Sequence, residues 1–259
     1  MRNNLFSSVF MRLILTATIL FVLFGCRQTK QQGAVVFSFD DQYIDEWYSQ
    51  RHLFNRYNIK ATFFISRPQL LSAAQIEKLK QLQADGHEIG CHGLNHLNVV
   101  DYKDSVDVLV KKEIKPAIKI LTEMGFPPSS FAHPFGKSLP EIDDVLLQHF
   151  KYLRKATYNI NDTTIDFYDE IYATPNHYKV TNSMGIDTNY NISEENFETG
   201  LLRAVDRNEV LILHAHKTDS SLANYTVSPA YLESAFKLCR QHHLKSLRIS
   251  DLENYFSGH

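Results

Sequence analysis

The strongest constraint on this chain is the run Val35-Val36-Phe37-Ser38-Phe39-Asp40-Asp41, which is apolar and β-branched until it stops in two adjacent carboxylates. A run this short and apolar reads as a strand buried on both faces, the condition of a parallel sheet covered by helices. Two acids at its end stand where parallel α/β folds keep their chemistry, at the carboxyl tips of the strands. Neighbours on an extended strand point to opposite sides, so Asp40 and Asp41 are free to hold different roles. The plain alternative is that one of them caps the helix that the pattern predicts over Asp45–Tyr57.

The rest of the chain alternates in the same way. Strand patterns at Ala61–Ile65, His87–Cys91, Ser130–Ala132, Tyr152–Ala156, Glu209–His214 and Leu244–Ile249 are separated by helical patterns. Those fall at Ser72–Ala84, Ser105–Met124, Leu139–His149, Glu194–Val205 and Ser228–Gln241. Alternation of this kind implies parallel βαβ units with right-handed crossovers. About seven such units predict a single-domain α/β fold over residues 34–256, a closed or nearly closed parallel β/α barrel. Thr157–Asn191, rich in Asn, Asp, Thr and Tyr, breaks the rhythm. It reads as an irregular insertion that either lines a groove or decorates the surface.

Before the first strand, Arg2 and Arg12 precede an apolar run from Leu13 to Phe24 and then Gly25-Cys26. That order is the order of a secretory signal, and the run is short for a membrane-spanning helix. Met11 is an alternative start, and an uncleaved anchor is the alternative fate. Leu23-Phe24-Gly25-Cys26 resembles the bacterial lipobox, which implies a lipoprotein signal over 1–25, lipid on Cys26 and a tether over 26–33. The domain would then stand outside the cytoplasm, anchored to a membrane of the cell envelope. Arg2 and Arg12 are the only charges in the first 25 residues, so the mature chain would carry 25 basic against 29 acidic side chains, a net of −4. Nucleic-acid binding usually shows as a basic surplus, so no nucleic-acid partner is expected. Cys91 and Cys239 are too few for a disulfide scaffold and are expected to be free and buried.

Three further segments follow predicted strands. His92-Gly93-Leu94-Asn95-His96 places histidines at i and i+4, which face the same way on a helical turn and can chelate one ion. A hydrogen-bonded pair at a turn is the alternative. With a carboxylate from the Asp-Asp tip they make a two-imidazole, one-carboxylate set that suits Zn²⁺ and also non-haem Fe(II). Phe131-Ala132-His133-Pro134-Phe135-Gly136 is a shaped turn whose backbone N–H groups can stabilise an oxyanion, or a turn and nothing more. Val210-Leu211-Ile212-Leu213 delivers His214 at a strand end, positioned as a general acid, with His216 on the same side. A structural histidine is the alternative there.

In this order the four segments resemble the NodB-homology polysaccharide deacetylases, carbohydrate esterase family 4. Phe39-Asp40-Asp41, His92 with His96, Pro134-Phe135-Gly136 and Leu211-Ile212-Leu213-His214 match that family's motifs between Ala34 and Leu252. The resemblance implies a distorted β/α barrel and a metal-dependent hydrolase that removes acetyl groups from N-acetylated sugars of an extracytoplasmic polysaccharide. It implies Asp41, His92 and His96 as ligands of Zn²⁺, or of Co²⁺, Ni²⁺ or Mn²⁺. It implies Asp40 as general base, His214 as general acid, and Phe135, beside Pro134, as the source of an oxyanion-binding N–H.

Two departures from the motifs stand out. Ala132 occupies the place of an Arg that pairs with the base in that family, and Arg154, on the next predicted strand, is expected to supply the charge instead. The tryptophan of the family's fourth motif is not recognisable, since Trp47 is the only one in the chain, so Leu211 or Leu213 is expected to wall the acetyl methyl. These departures keep open a glycan-binding pseudoenzyme, and a hydrolase of an O-acetyl ester or small amide or an Fe(II)-dependent reaction on the same ligands.

Overall fold

The computed structural model describes residues 32–158 and 163–258. The expected signal, Cys26 and most of the expected tether lie outside these residues. β1 (Ala34–Asp41) runs through both carboxylates and is followed by α1 (Ile44–Ser49), α2 (Arg51–Tyr57) and β2 (Ala61–Ile65). Next come α3 (Ala73–Ala84), β3 (Glu88–Cys91), α4 (Val106–Leu109), α5 (Lys115–Glu123), β4 (Ser130–Ala132), α6 (Pro140–Leu146) and β5 (Tyr152–Thr157). The remaining elements are β6 (Tyr172–Ala173), β7 (Val180–Gly185), α7 (Glu194–Arg207), β8 (Val210–Ala215), β9 (Lys217–Thr218), β10 (Thr226–Val227), α8 (Pro229–Gln241), β11 (Lys245–Leu247) and α9 (Leu252–Ser257).

Strands β1, β2, β3, β4, β5, β7 and β8 lie side by side in parallel, and β8 pairs back onto β1. The sheet therefore closes into a seven-stranded barrel. Its lower end is distorted by two short strands. β11 takes Ala34–Val36 of β1 before β2 takes Phe37–Asp41, and β6 runs antiparallel against Val210 and Leu211 of β8 below the β7 pairing. β9 and β10 form a separate pair.

The alternation of β1 sorts its side chains by layer. Val35, Phe37 and Phe39 face the helices, where Phe39 meets Phe63 at 5.4 Å and Phe54 at 5.7 Å between ring centroids. Each such ring contributes about 1.5–3 kcal/mol by leaving water, which anchors the strand that carries the acids. Val36, Ser38 and Asp40 face the barrel interior. There the lower layer is apolar, with Val36, Phe64 and Ile212 packed against Ile249, Leu252 and Tyr255. Above it the inward positions are polar and buried: Ser38, Asp40, Arg154, Ser183 and His214. A polar layer over an apolar floor, at the carboxyl ends of the strands, is where this fold can hold a reactive site.

Several sequence expectations are corrected here. Thr157–Asn191 contains the barrel strand β7, not only irregular chain. Val-Thr-Asn-Ser-Met-Gly has no apolar run because Thr181 and Ser183 belong to the buried polar layer, so the pattern of a covered strand is missing. The helix expected over Asp45–Tyr57 is interrupted at Gln50. The one over Ser105–Met124 contains a π segment, Val110–Ile114, immediately before Pro116 enters α5. Proline has no N–H for an i→i−4 bond, so the ladder loosens where it enters. Cys91 and Cys239 are buried and free, as expected. No helix among the described residues is long and apolar enough to cross a membrane.

Candidate metal centre and acid–base pocket

A pocket of about 270 Å³ opens at the carboxyl ends of the strands, lined by Asp40, Asp41, His92, His96, Arg154, His214 and His216, with Tyr43, Phe135, Tyr158, Tyr190 and Tyr225 among its other walls. Simple alternation would send Asp41 away from Asp40. Instead Asp41 leaves strand geometry at φ +84°, a conformation that Asp tolerates better than most residues, and both carboxylates line the pocket.

One ligand atom each from Asp41, His92 and His96 lies within 4.8 Å of the others. The Nε2 atoms of His96 and His92 are 3.4 and 3.9 Å from Asp41 Oδ1. Two ligands with bonds of about 2.1 Å to a tetrahedral ion stand about 3.4 Å apart. His92 Nδ1 lies 2.8 Å from the Ala132 carbonyl, which only accepts, so Nδ1 carries the proton and Nε2 keeps its lone pair. Burial lowers the pKa of both histidines, which favours the neutral, ligating form. The donor set fits a divalent cation.

The two histidines do not share a helical turn, contrary to the expectation from their spacing. They sit on an irregular loop, with Gly93 at φ +87° and His96 at φ +60°. The buried Glu113, carried on the π segment, holds that loop: its carboxylate accepts from Asn95 N at 2.7 Å and Asn95 Nδ2 at 2.9 Å. A Cβ at position 93 would lie 2.7 Å from Glu113 Oε1, so glycine answers both the close approach and the positive φ. Nothing in the sequence distinguished Glu113 from a solvent-facing helix charge. If the loop holds a divalent cation, Glu113→Ala is expected to weaken its binding by about 10–100-fold, as loss of a ligand-orienting partner does. Calorimetric titration of a variant shown to be folded checks this, and an unchanged affinity would remove the role.

Arg154 stands opposite Ala132 in the β4–β5 register, is 1% exposed, and donates through Nη2 to Asp40 Oδ1. Burial opposes charge on Asp40, but the Arg154 guanidinium and the nearby histidines hold its carboxyl well below the usual range. Asp40 is thus an ionised, oriented acceptor beside the three candidate ligands.

Leu211 and Leu213 do not wall the pocket. They alternate with the inward Ile212 and His214, so both are fully buried in the helix-facing layer. Ala156 and the tyrosines take that place, and Tyr158 stacks on Tyr190 at 5.7 Å and 9°. Pro134 is buried, while the Phe135 ring is half-exposed and approaches His96 edge-on at 4.9 Å between centroids. His133 beneath that turn lies 3.0 Å from Asp143, both buried.

His214 and His216 both line the pocket but are held differently. His214 contacts hydroxyls at both nitrogens, Ser183 Oγ at 2.9 Å from Nδ1 and Tyr190 Oη at 3.0 Å from Nε2. His216 Nδ1 lies 2.6 Å from Asp187 Oδ2, and its backbone N donates to Asp187 Oδ1 at 3.0 Å. Asp187 follows β7 and was hidden with that strand. An acid just beyond a strand tip is the signal that marks it once β7 is placed.

Residues 27–158 match the family described as polysaccharide deacetylase. A peptidoglycan deacetylase of Helicobacter pylori is 29% identical over 163 residues, 62% of this chain and 49% of the relative, so the chain spans about half the length of the curated relative it matches. The chitin deacetylase of the fungal pathogen Colletotrichum lindemuthianum aligns with a TM-score of 0.57 at 15% identity, covering 86% of this chain and 88% of that one. A peptidoglycan deacetylase from Bacillus subtilis aligns at 0.53 and 15% identity, covering 88% and 93%. These structures share the barrel.

Proposed function

The chain belongs to the polysaccharide deacetylase family, and on that premise we propose that it removes acetyl groups from N-acetylated sugars of an extracytoplasmic glycan, using a divalent cation held by Asp41, His92 and His96. The observation that carries the reading is the convergence of those three groups, in one pocket, with an Asp40 carboxylate fixed by Arg154. Zn²⁺ is the proposed ion because neutral imidazole and carboxylate are among its usual ligands. Once held, such an ion acts as a Lewis acid and lowers the pKa of a water from about 15.7 toward about 7.

The chain's own groups account for the rest. Asp40 accepts the proton of the attacking water, and Arg154 keeps that carboxylate ionised and aimed. The Phe135 N–H, in the turn after β4, is the proposed donor to charge developing on the carbonyl oxygen. A pocket this small suits the acetamido group and part of one sugar ring. The half-exposed rings of Phe135, Tyr158 and Tyr225 then offer apolar faces to the sugar at the rim. Binding without turnover, the reading that Ala132 invited, has less support because Arg154 pairs with Asp40. The proposed location is the cell envelope, with Cys26 lipidated; a Cys26→Ser variant that stays in the membrane fraction would rule the anchor out.

The reading is tested by acetate release from N-acetylglucosamine oligomers and from peptidoglycan strands. Release that stops with a chelator and returns with Zn²⁺ is the expected result. Metal and sugar bound with no acetate formed from any such substrate would overturn it in favour of a glycan binder.

A further inference from the structure

We infer that the amino-terminal end of the barrel is a membrane-docking face, which takes anionic phospholipid headgroups and turns the pocket away from the lipid. This rests on the proposed location at the cell envelope and not on the reaction. The pocket stands at the carboxyl ends of the strands, whereas the amino-terminal ends of the same strands collect cations. Lys151 and Lys179 immediately precede β5 and β7, and Lys245 opens β11, level with Ala34 at the start of β1. All three are exposed. Beside them, a hollow of about 430 Å³ is lined by Lys60, Arg240, His243 and Lys245 and by no acid.

Little at this end neutralises them. Asp85 is paired with Arg51, Glu209 with Arg203 and Asp251 with Arg248, while Glu88 is buried among the hydroxyls of Thr62 and Ser130. Glu253 remains, in a second hollow that it shares with Lys151 and Lys179. Among the described residues, Lys151, Lys179, Arg240 and Lys245 have no carboxylate within 4.0 Å. Lys60 is committed to the Asp85 carbonyl at 2.6 Å. A cation near a helix C-terminus is the ordinary partner of the helix dipole, which accounts for Arg240 on the last turn of α8. A lysine at the start of a parallel strand gains nothing from such a dipole. The chain as a whole is acidic, with a formal net charge of −2, so the basic end is a separation of charge along the barrel and not a general surplus.

The chain enters the fold at this same end. The Tyr255 hydroxyl donates to the Gln32 carbonyl, and Gly33 lies so close to α7 that a Cβ would stand 2.3 Å from the Ala204 carbonyl oxygen. Cys26, the proposed lipid site, stands six residues before Gln32. Six residues reach at most about 20 Å when fully extended, so lipid on Cys26 would keep this end beside the headgroups. Arg27 and Lys30 add two cations to the segment between. Lys and Arg clustered next to an anchor are drawn to anionic headgroups, and that attraction adds to the hold of the lipid. Tyr178, partly exposed at this end and 5.6 Å from the Phe256 ring, is an amphipathic ring of the kind found at headgroup level. With this end against the membrane, the pocket opens on the opposite side, where glycan strands are within reach.

The test places the full chain in vesicles of phosphatidylcholine alone or with about one third phosphatidylglycerol, then labels its lysines by brief reductive methylation read by mass spectrometry. In the anionic vesicles Lys151, Lys179 and Lys245 are expected to react about threefold more slowly, or slower still, than in the neutral ones. Salt at about 1 M, where the Debye length is about 3 Å, should erase the difference. Lys103 and Lys137, exposed in the loops after β3 and β4 at the pocket end, should react alike in both. Lys151→Gln, Lys179→Gln and Lys245→Gln combined should lower the ratio of anionic to neutral vesicle binding by on the order of 100-fold, about fivefold for each charge, with thermal unfolding unchanged. Equal labelling in the two vesicle types, or protection of Lys103 and Lys137 instead, would overturn the docking face. The same protection by inorganic phosphate without vesicles would also overturn it, in favour of a soluble-anion site. Because the vesicles are supplied, the labelling is read whether or not Cys26 carries lipid, so loss of the anchor and loss of the face are separate results.

Discussion

Replacing Asp41 with asparagine is expected to abolish tight metal binding and to lower kcat/KM for deacetylation by on the order of 10³-fold or more, about 4 kcal/mol of barrier. Asp41 is the only anion among the three candidate ligands, so the change leaves two neutral imidazoles and an amide facing a divalent ion. Asparagine is the informative substitution. Position 41 sits at φ +84°, where alanine would add backbone strain that Asn largely avoids, and the Asn amide oxygen can still accept from the buried Ser66 hydroxyl, which donates to Asp41 Oδ1 at 3.3 Å. The metal-free variant should therefore unfold close to the metal-free wild type. In the wild type, Zn²⁺ at a hundredfold excess over Kd is expected to add about 2.7 kcal/mol of stability, and this increment should vanish in Asp41→Asn. Elemental analysis with thermal unfolding in the presence and absence of Zn²⁺ makes the comparison. A variant that still binds one equivalent of metal and turns over would mean that the cation is held elsewhere.

What the sequence disclosed, and what it concealed, follows from where polarity sits in the barrel. β1 was legible because its outward and inward residues are both apolar until the tip, and that tip is where Asp40 and Asp41 lie. β7 was not, because its inward positions belong to the buried polar layer, and Asp187 and Tyr190 were lost with it. Once His214 is placed facing inward, Leu211 and Leu213 must face the helices, so they were never available as a pocket wall. The His92–His96 spacing points to groups that the structure does bring together with Asp41, but by a different geometry, since a loop braced by Glu113 replaces the expected helical turn. That brace is a long-range contact, and the local pattern around residue 113 carries no trace of it. Arg154 was legible because it lies on a predicted strand beside the one ending at Ala132, and adjacent strands of a parallel sheet bring such positions level.

The Asp40–Arg154 pair should respond asymmetrically to loss of either member. Asp40→Asn keeps the three candidate ligands and is expected to bind Zn²⁺ as the wild type does while losing roughly 10²–10⁴ in kcat, the contribution of a positioned base. Arg154→Met removes the cation and leaves a buried carboxylate without its ion partner, a change that typically costs about 3–5 kcal/mol. The pH dependence separates the two. In the wild type the folded pKa of Asp40 lies below its unfolded value of about 3.9, so the pair's stabilisation is fully present above that pH and is lost as the pH falls through the folded value. Without Arg154 the effect of burial dominates and the folded pKa rises above the unfolded one. The neutral acid is then the form that the fold tolerates, and stability should decline as the pH rises through the new value instead of increasing. The acid limb of the activity profile should move upward with it, because Asp40 must be ionised to accept a proton. In the Arg154→Met background, Asp40→Asn should restore much of the lost stability, since no charge remains to be buried alone. Denaturant unfolding of the single and double variants between pH 4 and 8 measures the coupling, and additive losses would show that the two side chains do not act as a pair.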